Sequence, residues 1–166
     1  MNPRESIRQS DININVFFIV KEMKHFERYR KTVYEIIGAA MDVYNELGFG
    51  LRESVYQEAL ALELVTRDLS CEREKQVNVF YKRQQLQQLY KLDLLIDNEI
   101  IIETKSVSEL NADHRSQLFN YMRLTQKDVG LLINFGNAEQ LQGERYVRDS
   151  DNICYRVDKH MQPLQK

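Results

Sequence analysis

The sequence predicts an α/β fold, a mixed β-sheet flanked by α-helices, and three observations carry that expectation. The hydrophobic pattern runs helix, helix, strand, strand, strand, helix, strand, which one mixed sheet with helices on its faces accommodates. Residues 128–135 (DVGLLINF) are almost wholly apolar, as expected of a strand covered on both faces. The length, 166 residues with 43% hydrophobic side chains, fills one core and is short for two. Composition excludes other classes. The two cysteines, Cys71 and Cys154, form no disulfide framework and no paired-cysteine zinc site. With 23 basic and 25 acidic residues the net charge is −2, so the chain has no global basic signature for nucleic acid.

The elements follow in order. Residues 32–47 read as an amphipathic helix, with Val33, Ile36, Ile37, Ala40, Tyr44 and Leu47 on one face and Gly48-Phe49-Gly50 ending it. A second helix is expected over 54–67, with Val55, Ala59 and Leu62 as its stripe and Asp68 near its end. Residues 71–81 have strand character, and Lys82-Arg83-Gln84-Gln85 forms a polar turn. Residues 86–96 and 100–105 are apolar, β-rich runs joined by Asp97-Asn98-Glu99, a hairpin turn signal. Residues 111–124 return to helical period, with Asn111 or Asp113 as cap. After the strand at 128–135, residues 136–143 read as a loop and 144–148 as an edge strand.

The central hairpin carries the chemistry. With a three-residue loop, Ile96 pairs with Ile100 and Asp93 falls opposite Glu103, both carboxylates on one face with Lys105 beside them. A two-residue loop would shift the register and send Asp93 to the other face. Two convergent carboxylates plus a backbone carbonyl, that of Thr104, suit Mg²⁺, a hard cation that keeps several waters; Mn²⁺ is a plausible substitute. A neighbouring lysine would orient or help deprotonate the attacking water and balance charge on the transition state. An acid-x-Lys triplet alone is weak, since roughly one or two arise by chance in a chain this size, and Glu22-Met23-Lys24 is another. Its place in strands as apolar as LDLLI and IIIETK raises the signal. A buried ion pair or a solvated sheet face would leave the same residues in the sequence.

Several motifs occur together over about 100 residues: Gly50-Leu51-Arg52-Glu53-Ser54-Val55-Tyr56, Tyr90-Lys91-Leu92-Asp93, Glu103-Thr104-Lys105, Gln117-Leu118-Phe119-Asn120-Tyr121 and Leu131-Leu132-Ile133-Asn134-Phe135-Gly136. In this order they resemble the GxxExxY family of small bacterial proteins, assigned to the PD-(D/E)xK nuclease superfamily. The resemblance implies a restriction-endonuclease-like fold and Mg²⁺-dependent hydrolysis of phosphodiester bonds in nucleic acid, DNA being favoured. By position it implies Asp93 and Glu103 as metal carboxylates, Lys105 as the catalytic lysine and Glu53 as a helix-borne acid binding metal directly or through water. Gln117 and Tyr121, spaced i, i+4 on one helix face, match an element that orients the lysine or a phosphate. No proline precedes Asp93, a departure from the superfamily's usual pattern. A non-catalytic nucleic-acid- or protein-binding module on the same fold is the alternative function.

The nuclease-like domain is expected over 29–148, with a terminal segment on each side. Residues 1–28 alternate polar and apolar without a helical stripe, as a poorly ordered extension or an extra edge strand does. Residues 149–166 read as a polar tail. No run approaches the roughly 18–20 apolar residues that span a bilayer, and Lys21-Glu22-Met23-Lys24 follows the nearest candidate where a signal peptide needs small residues, so a cytoplasmic protein is expected. A homodimer would suit an enzyme that cuts two strands. Tyr56 reads equally as a site residue or as a core tyrosine with a wet hydroxyl. His114 is a phosphate contact or a bystander; Lys82, Arg83, Arg115, Arg123 and Lys127 are a phosphate-binding rim or a solvated face.

Overall fold

The computed structural model describes residues 25–164, so most of the segment expected as an extension at 1–28, with its edge-strand reading, lies outside the described residues. At its described end Phe26 is already a core residue, and a 3-10 turn, Glu27–Tyr29, leads into helix α1, Arg30–Leu47. Val33, Ile36, Ala39, Ala40 and Val43 are buried, while Ile37 and Tyr44 pack at the edge of the same cluster. Leu47, expected on that face, is 38% exposed because the helix ends there. Gly48, at φ 69°, terminates α1, and its N–H bonds the Tyr44 carbonyl.

Helix α2, Glu53–Thr66, presents a different face from the one expected. Tyr56, Leu60, Ala61 and Leu64 are buried, whereas Val55 and Leu62 are 41% and 67% exposed. Residues 59–65 (ALALELV) are apolar on nearly every side, so periodicity cannot select the phase. The seat of Tyr56 selects it.

Six strands follow in chain order across one sheet: β1 Cys71–Tyr81, β2 Gln84–Ile96, β3 Ile100–Lys105, β4 Val129–Asn134, β5 Gln142–Arg148 and β6 Cys154–Val157. All neighbours are antiparallel except β3 and β4, whose parallel pairing requires a crossover, supplied by helix α3, Ala112–Thr125. The β1–β2 turn is only Lys82-Arg83, both with positive φ as a two-residue hairpin turn requires; Gln84 and Gln85 belong to β2. Strand β6 arises where only a polar tail was expected; with four residues and one of them buried, it is too short to show a period.

Two cores result, one per face. Helices α1 and α2 cover Leu94, Ile96, Ile100, Ile102, Leu131 and Ile133. Helix α3 covers Leu92, Leu95, Ile101 and Leu132 with Leu118 and Met122. Both faces of β3 and β4 are therefore buried, as the apolar 128–135 run requires. Among the described residues no helix is long and apolar enough to cross a membrane.

Candidate active site

The β2–β3 hairpin has the expected register. Ile96 pairs with Ile100, Leu95 with Ile101 and Leu94 with Ile102, around a three-residue loop in which Asp97 and Asn98 take positive φ. The ladder stops one pair short of Asp93 and Glu103. There the Asp93 carboxylate replaces the backbone: its Oδ2 accepts from the Thr104 amide at 2.8 Å and the Thr104 hydroxyl at 2.9 Å. Strand β2 bends at this point, since Leu92 and Leu95 join the same core cluster against strict alternation, and Glu74 on adjoining β1 has φ 49°.

Glu103 is 1% exposed. Its Oε1 accepts from Lys105 Nζ at 2.6 Å, while Oε2 is buried with no hydrogen-bond partner. Burial first, and then the negative charges of Asp93 and Glu53, push its carboxyl up to about 7 against the pull of Lys105. Burial also pulls the Lys105 ammonium down, but the Glu103 hydrogen bond and the three surrounding carboxylates hold it above its ordinary value. Glu53, the first residue of α2, is half-buried. Burial raises its pKa, Lys105 opposes the rise and Asp93 adds to it. Its hydrogen-bond partner is Gln57 at 3.3 Å, so it feels the site's charge without touching the Lys105–Glu103 pair.

The chain segments around these groups lock together. Tyr56 is fully buried: its hydroxyl donates to the Gly48 carbonyl at 2.7 Å, accepts from the Leu51 amide at 3.1 Å, and its ring stacks on Phe135 at 4.6 Å. Tyr56 is therefore a core residue that holds the loop preceding Glu53. The Ser106 hydroxyl donates to the Leu51 carbonyl at 2.7 Å, and the Phe135 amide donates to the Lys105 carbonyl at 2.8 Å.

On α3, Gln117 Nε2 donates to the Tyr121 hydroxyl at 3.3 Å, as their spacing requires. Burial raises the Tyr121 pKa, Gln117 lowers it, and the charges of Glu103 and Asp93 raise it further, so this helix face looks onto the acids. His114 is a cap: Asn111 Oδ1 accepts from the amides of Asp113 and His114, and His114 Nδ1 accepts from the Asn111 amide at 3.2 Å. Three members of the expected basic rim are engaged elsewhere. Arg115 forks onto Glu144 at 2.7 and 2.8 Å, Arg123 bonds Asn120 and the Phe119 carbonyl, and Lys127 bonds the Asn98 carbonyl.

Two supporting residues lie in the Leu131–Gly136 run. Asn134, fully buried, donates to the Val107 carbonyl at 2.8 Å and accepts from the Val107 amide at 2.9 Å. A Cβ on Gly136 would lie 2.3 Å from the Val107 nitrogen and 2.5 Å from the Ser106 carbonyl carbon. Asn134 and Gly136 thus grip the backbone leaving Lys105. A polar residue closing an apolar strand and followed within two positions by glycine was the available signal.

Among the described residues no three His, Cys, Asp and Glu side chains are gathered closely enough to form a complete metal cage. The donor set fits a cation that keeps its own waters: an orphaned, buried carboxylate oxygen on Glu103, a second carboxylate at Asp93, and an excess of negative charge over the single ammonium. Thr104, whose carbonyl is expected to face the metal, also holds Asp93 through its amide and hydroxyl.

The family model of the PD-(D/E)XK nuclease superfamily matches residues 30–146. The chain belongs to this superfamily. Its mixed six-stranded sheet with flanking helices is consistent with a restriction-endonuclease-like α/β fold. Comparison with curated proteins returns no match. Among solved structures the chain is similar to one described as "Crystal structure of SSO0001", at 18% identity and TM-score 0.45, covering 71% of this chain and 58% of that one. The chain thus spans less than two thirds of that structure. Superfamily members typically use divalent metal ions and act on nucleic acid.

Proposed function

We propose that this superfamily domain is a divalent-metal-dependent nuclease, using Mg²⁺ or Mn²⁺, that hydrolyses phosphodiester bonds in DNA. The observation that carries this reading is Glu103: a fully buried carboxylate with one oxygen on Lys105 and the other without a partner. A folded protein satisfies buried polar groups, and an exception of this kind points to a missing ligand. Glu103 and Asp93 would hold the metal directly, and Glu53 through water. Bound there, the metal would polarise a phosphoryl oxygen and supply a water of lowered pKa.

The chain's own groups do the rest. Lys105 is held as an ammonium by the carboxylates around it, so it acts as a donor: it would orient the attacking water and stabilise charge developing on the phosphoryl oxygens. Thr104 fixes the Asp93 carboxylate through two bonds to one oxygen. Gln117 and Tyr121 form a polar wall for a substrate phosphate. The Gly50, Glu53 and Tyr56 spacing, with Tyr56 clasping the loop ahead of Glu53, supports membership of the GxxExxY family within the superfamily. Two copies acting on opposite strands would cut a duplex.

The test is cleavage of single- and double-stranded DNA and RNA with and without Mg²⁺ or Mn²⁺, in the parent, Lys105→Ala and Asp93→Ala. The expected result is metal-dependent cleavage of DNA, reduced at least 100-fold in both variants. Equal cleavage by the parent and Lys105→Ala would remove the site assignment. Absence of cleavage on every substrate would instead support a non-catalytic binding module.

A further inference from the structure

Strands β1 and β2 run on well past the body of the protein. Every residue from Phe80 to Lys91 is exposed, so this end of the hairpin is a two-stranded ribbon that no layer among the described residues covers on either face. Between Glu74 and Asp93 there is no acidic residue, but there are four basic ones in a chain whose net charge is −2: Lys75 and Lys91 pair with Glu72 and Glu74 at the root, at 2.6 and 3.9 Å, and Lys82 and Arg83 stand at the tip. The tip adds aromatic surface: Phe80 and Tyr81 are each 61% exposed, and Lys82 Nζ lies 5.4 Å from the Tyr81 ring centre. At the root, Tyr90 meets Tyr121 edge to face at 6.0 Å, so the ribbon starts beside the acids of the site.

We infer that this ribbon is a DNA-binding arm that enters the major groove of a duplex whose scissile phosphate lies at Asp93, Glu103 and Lys105. The inference rests on the nuclease reading above and names its substrate as duplex DNA. A B-form major groove admits a two-stranded β-ribbon, whereas the deep, narrow groove of A-form RNA does not. Glu74 lies level with Asp93 between the Arg73–Leu94 and Lys75–Leu92 pairs, and Lys82, in the turn that follows β1, is eight residues further along the chain. At roughly 3.3 Å per residue the tip stands about 26 Å from the site, a reach of seven or eight base pairs. Three residues, Leu86 to Gln88, oppose Val79 alone, and such a bulge increases twist, which helps a ribbon follow a groove. A second copy of the chain is a poor occupant for this surface, because two ribbons of one charge sign repel.

The turn allows a clean test. Lys82 and Arg83 both hold positive φ, so the double variant Lys82→Asn/Arg83→Gly removes two charges and gives the turn residues it prefers. Binding is measured by fluorescence anisotropy in Mg²⁺, with Lys105→Ala as background, on a 20-base-pair DNA duplex and on a stem-loop of six base pairs. The arm variant is expected to bind the long duplex about tenfold more weakly, with a salt slope smaller by about 2, and the short stem-loop equally well. Unchanged affinity and slope on the long duplex overturn the arm. An equal loss on both lengths overturns its reach, and an equal loss on duplex RNA or single strands overturns duplex DNA as the occupant. If Lys105→Ala cleaves the duplex as fast as the parent, the site assignment fails, and if neither protein binds any nucleic acid, the nuclease reading itself fails. If sedimentation shows a dimer that the arm variant dissociates, the ribbon is a self-association surface and the inference is wrong.

Discussion

At the scale of single residues, the site is built by side chains that hold other side chains. Thr104 is the clearest. Its amide bond to Asp93 is indifferent to substitution, but its hydroxyl bond is not. Thr104→Val keeps the shape and removes that one bond, at a stability cost of about 1 kcal/mol. Groups that orient a metal ligand typically govern affinity tenfold or more, so Mg²⁺ binding measured by calorimetry is expected to weaken by at least that factor. Unchanged Mg²⁺ affinity would mean Asp93 is not a ligand or needs no such support. Tyr56 makes the same point at a distance from the acids. Tyr56→Phe leaves the stack on Phe135 but strips the Gly48 carbonyl and Leu51 amide of their partner. Urea denaturation is expected to show a loss of about 1–2 kcal/mol. Cleavage measured well below the transition is expected to fall as well, because the loop ahead of Glu53 loosens; full activity in the folded variant would confine Tyr56 to stability.

At the scale of elements, the sequence was most informative where turn chemistry and burial agreed. The register of β2 on β3 follows from one loop length, because a slip by one residue would have turned Leu94 and Ile96 from the face under α1 and α2 to the face under α3 and parted Asp93 from Glu103. Helix α1 is equally readable from a single stripe ended by glycine. Helix α2 was not, since Leu60, Leu62 and Leu64 are alike to a hydrophobicity count and only the hydroxyl of Tyr56 breaks the tie. Strand β6 and the early start of β5 depend on pairing with a neighbour, which a four-residue pattern does not encode. Among the site residues, types and order were legible. The direct bond from Thr104 to Asp93, and the role of His114 in a cap, were set by backbone geometry that has no signature in the sequence. The exit of β4 yields an element-scale prediction. Gly136→Ala would drive a methyl group into the Ser106–Val107 backbone, which cannot rotate away as a side chain could. The expected cost is roughly 2–3 kcal/mol in denaturant midpoint terms, with activity lost alongside, since the displaced strand exit carries Lys105. A variant as stable as the parent would show that the loop after β3 relocates freely.

At the scale of the whole molecule, a near-neutral protein keeps its charge unevenly distributed. One end of the sheet carries a ribbon whose charged residues, Lys82, Arg83 and Lys91, are all basic, and the next part of β2 opens onto three carboxylates and one ammonium. That concentration of acid has a thermodynamic consequence. The Glu103 carboxyl is raised in the folded state to about 7, and Glu53 is also raised. A raised acid contributes stability that is complete below its unfolded value, near 4.5, and is lost as pH rises through the folded value. Over that window the metal-free protein is expected to lose up to about 3 kcal/mol through Glu103. Glu144 runs the opposite way: its pKa is lowered on balance, because Arg115 and Tyr146 outweigh the effect of burial, and its contribution is lost only as pH falls below the ordinary carboxylate range. The melting temperature in EDTA should therefore decline from pH 5 to pH 8. Glu103→Gln, which cannot ionise, should flatten most of that decline, and saturating Mg²⁺ should flatten it in the parent, because a bound cation favours the ionised carboxylate. A parent and a Glu103→Gln variant with the same pH slope would show that Glu103 does not titrate in this range. A slope indifferent to Mg²⁺ would show that the cation binds elsewhere.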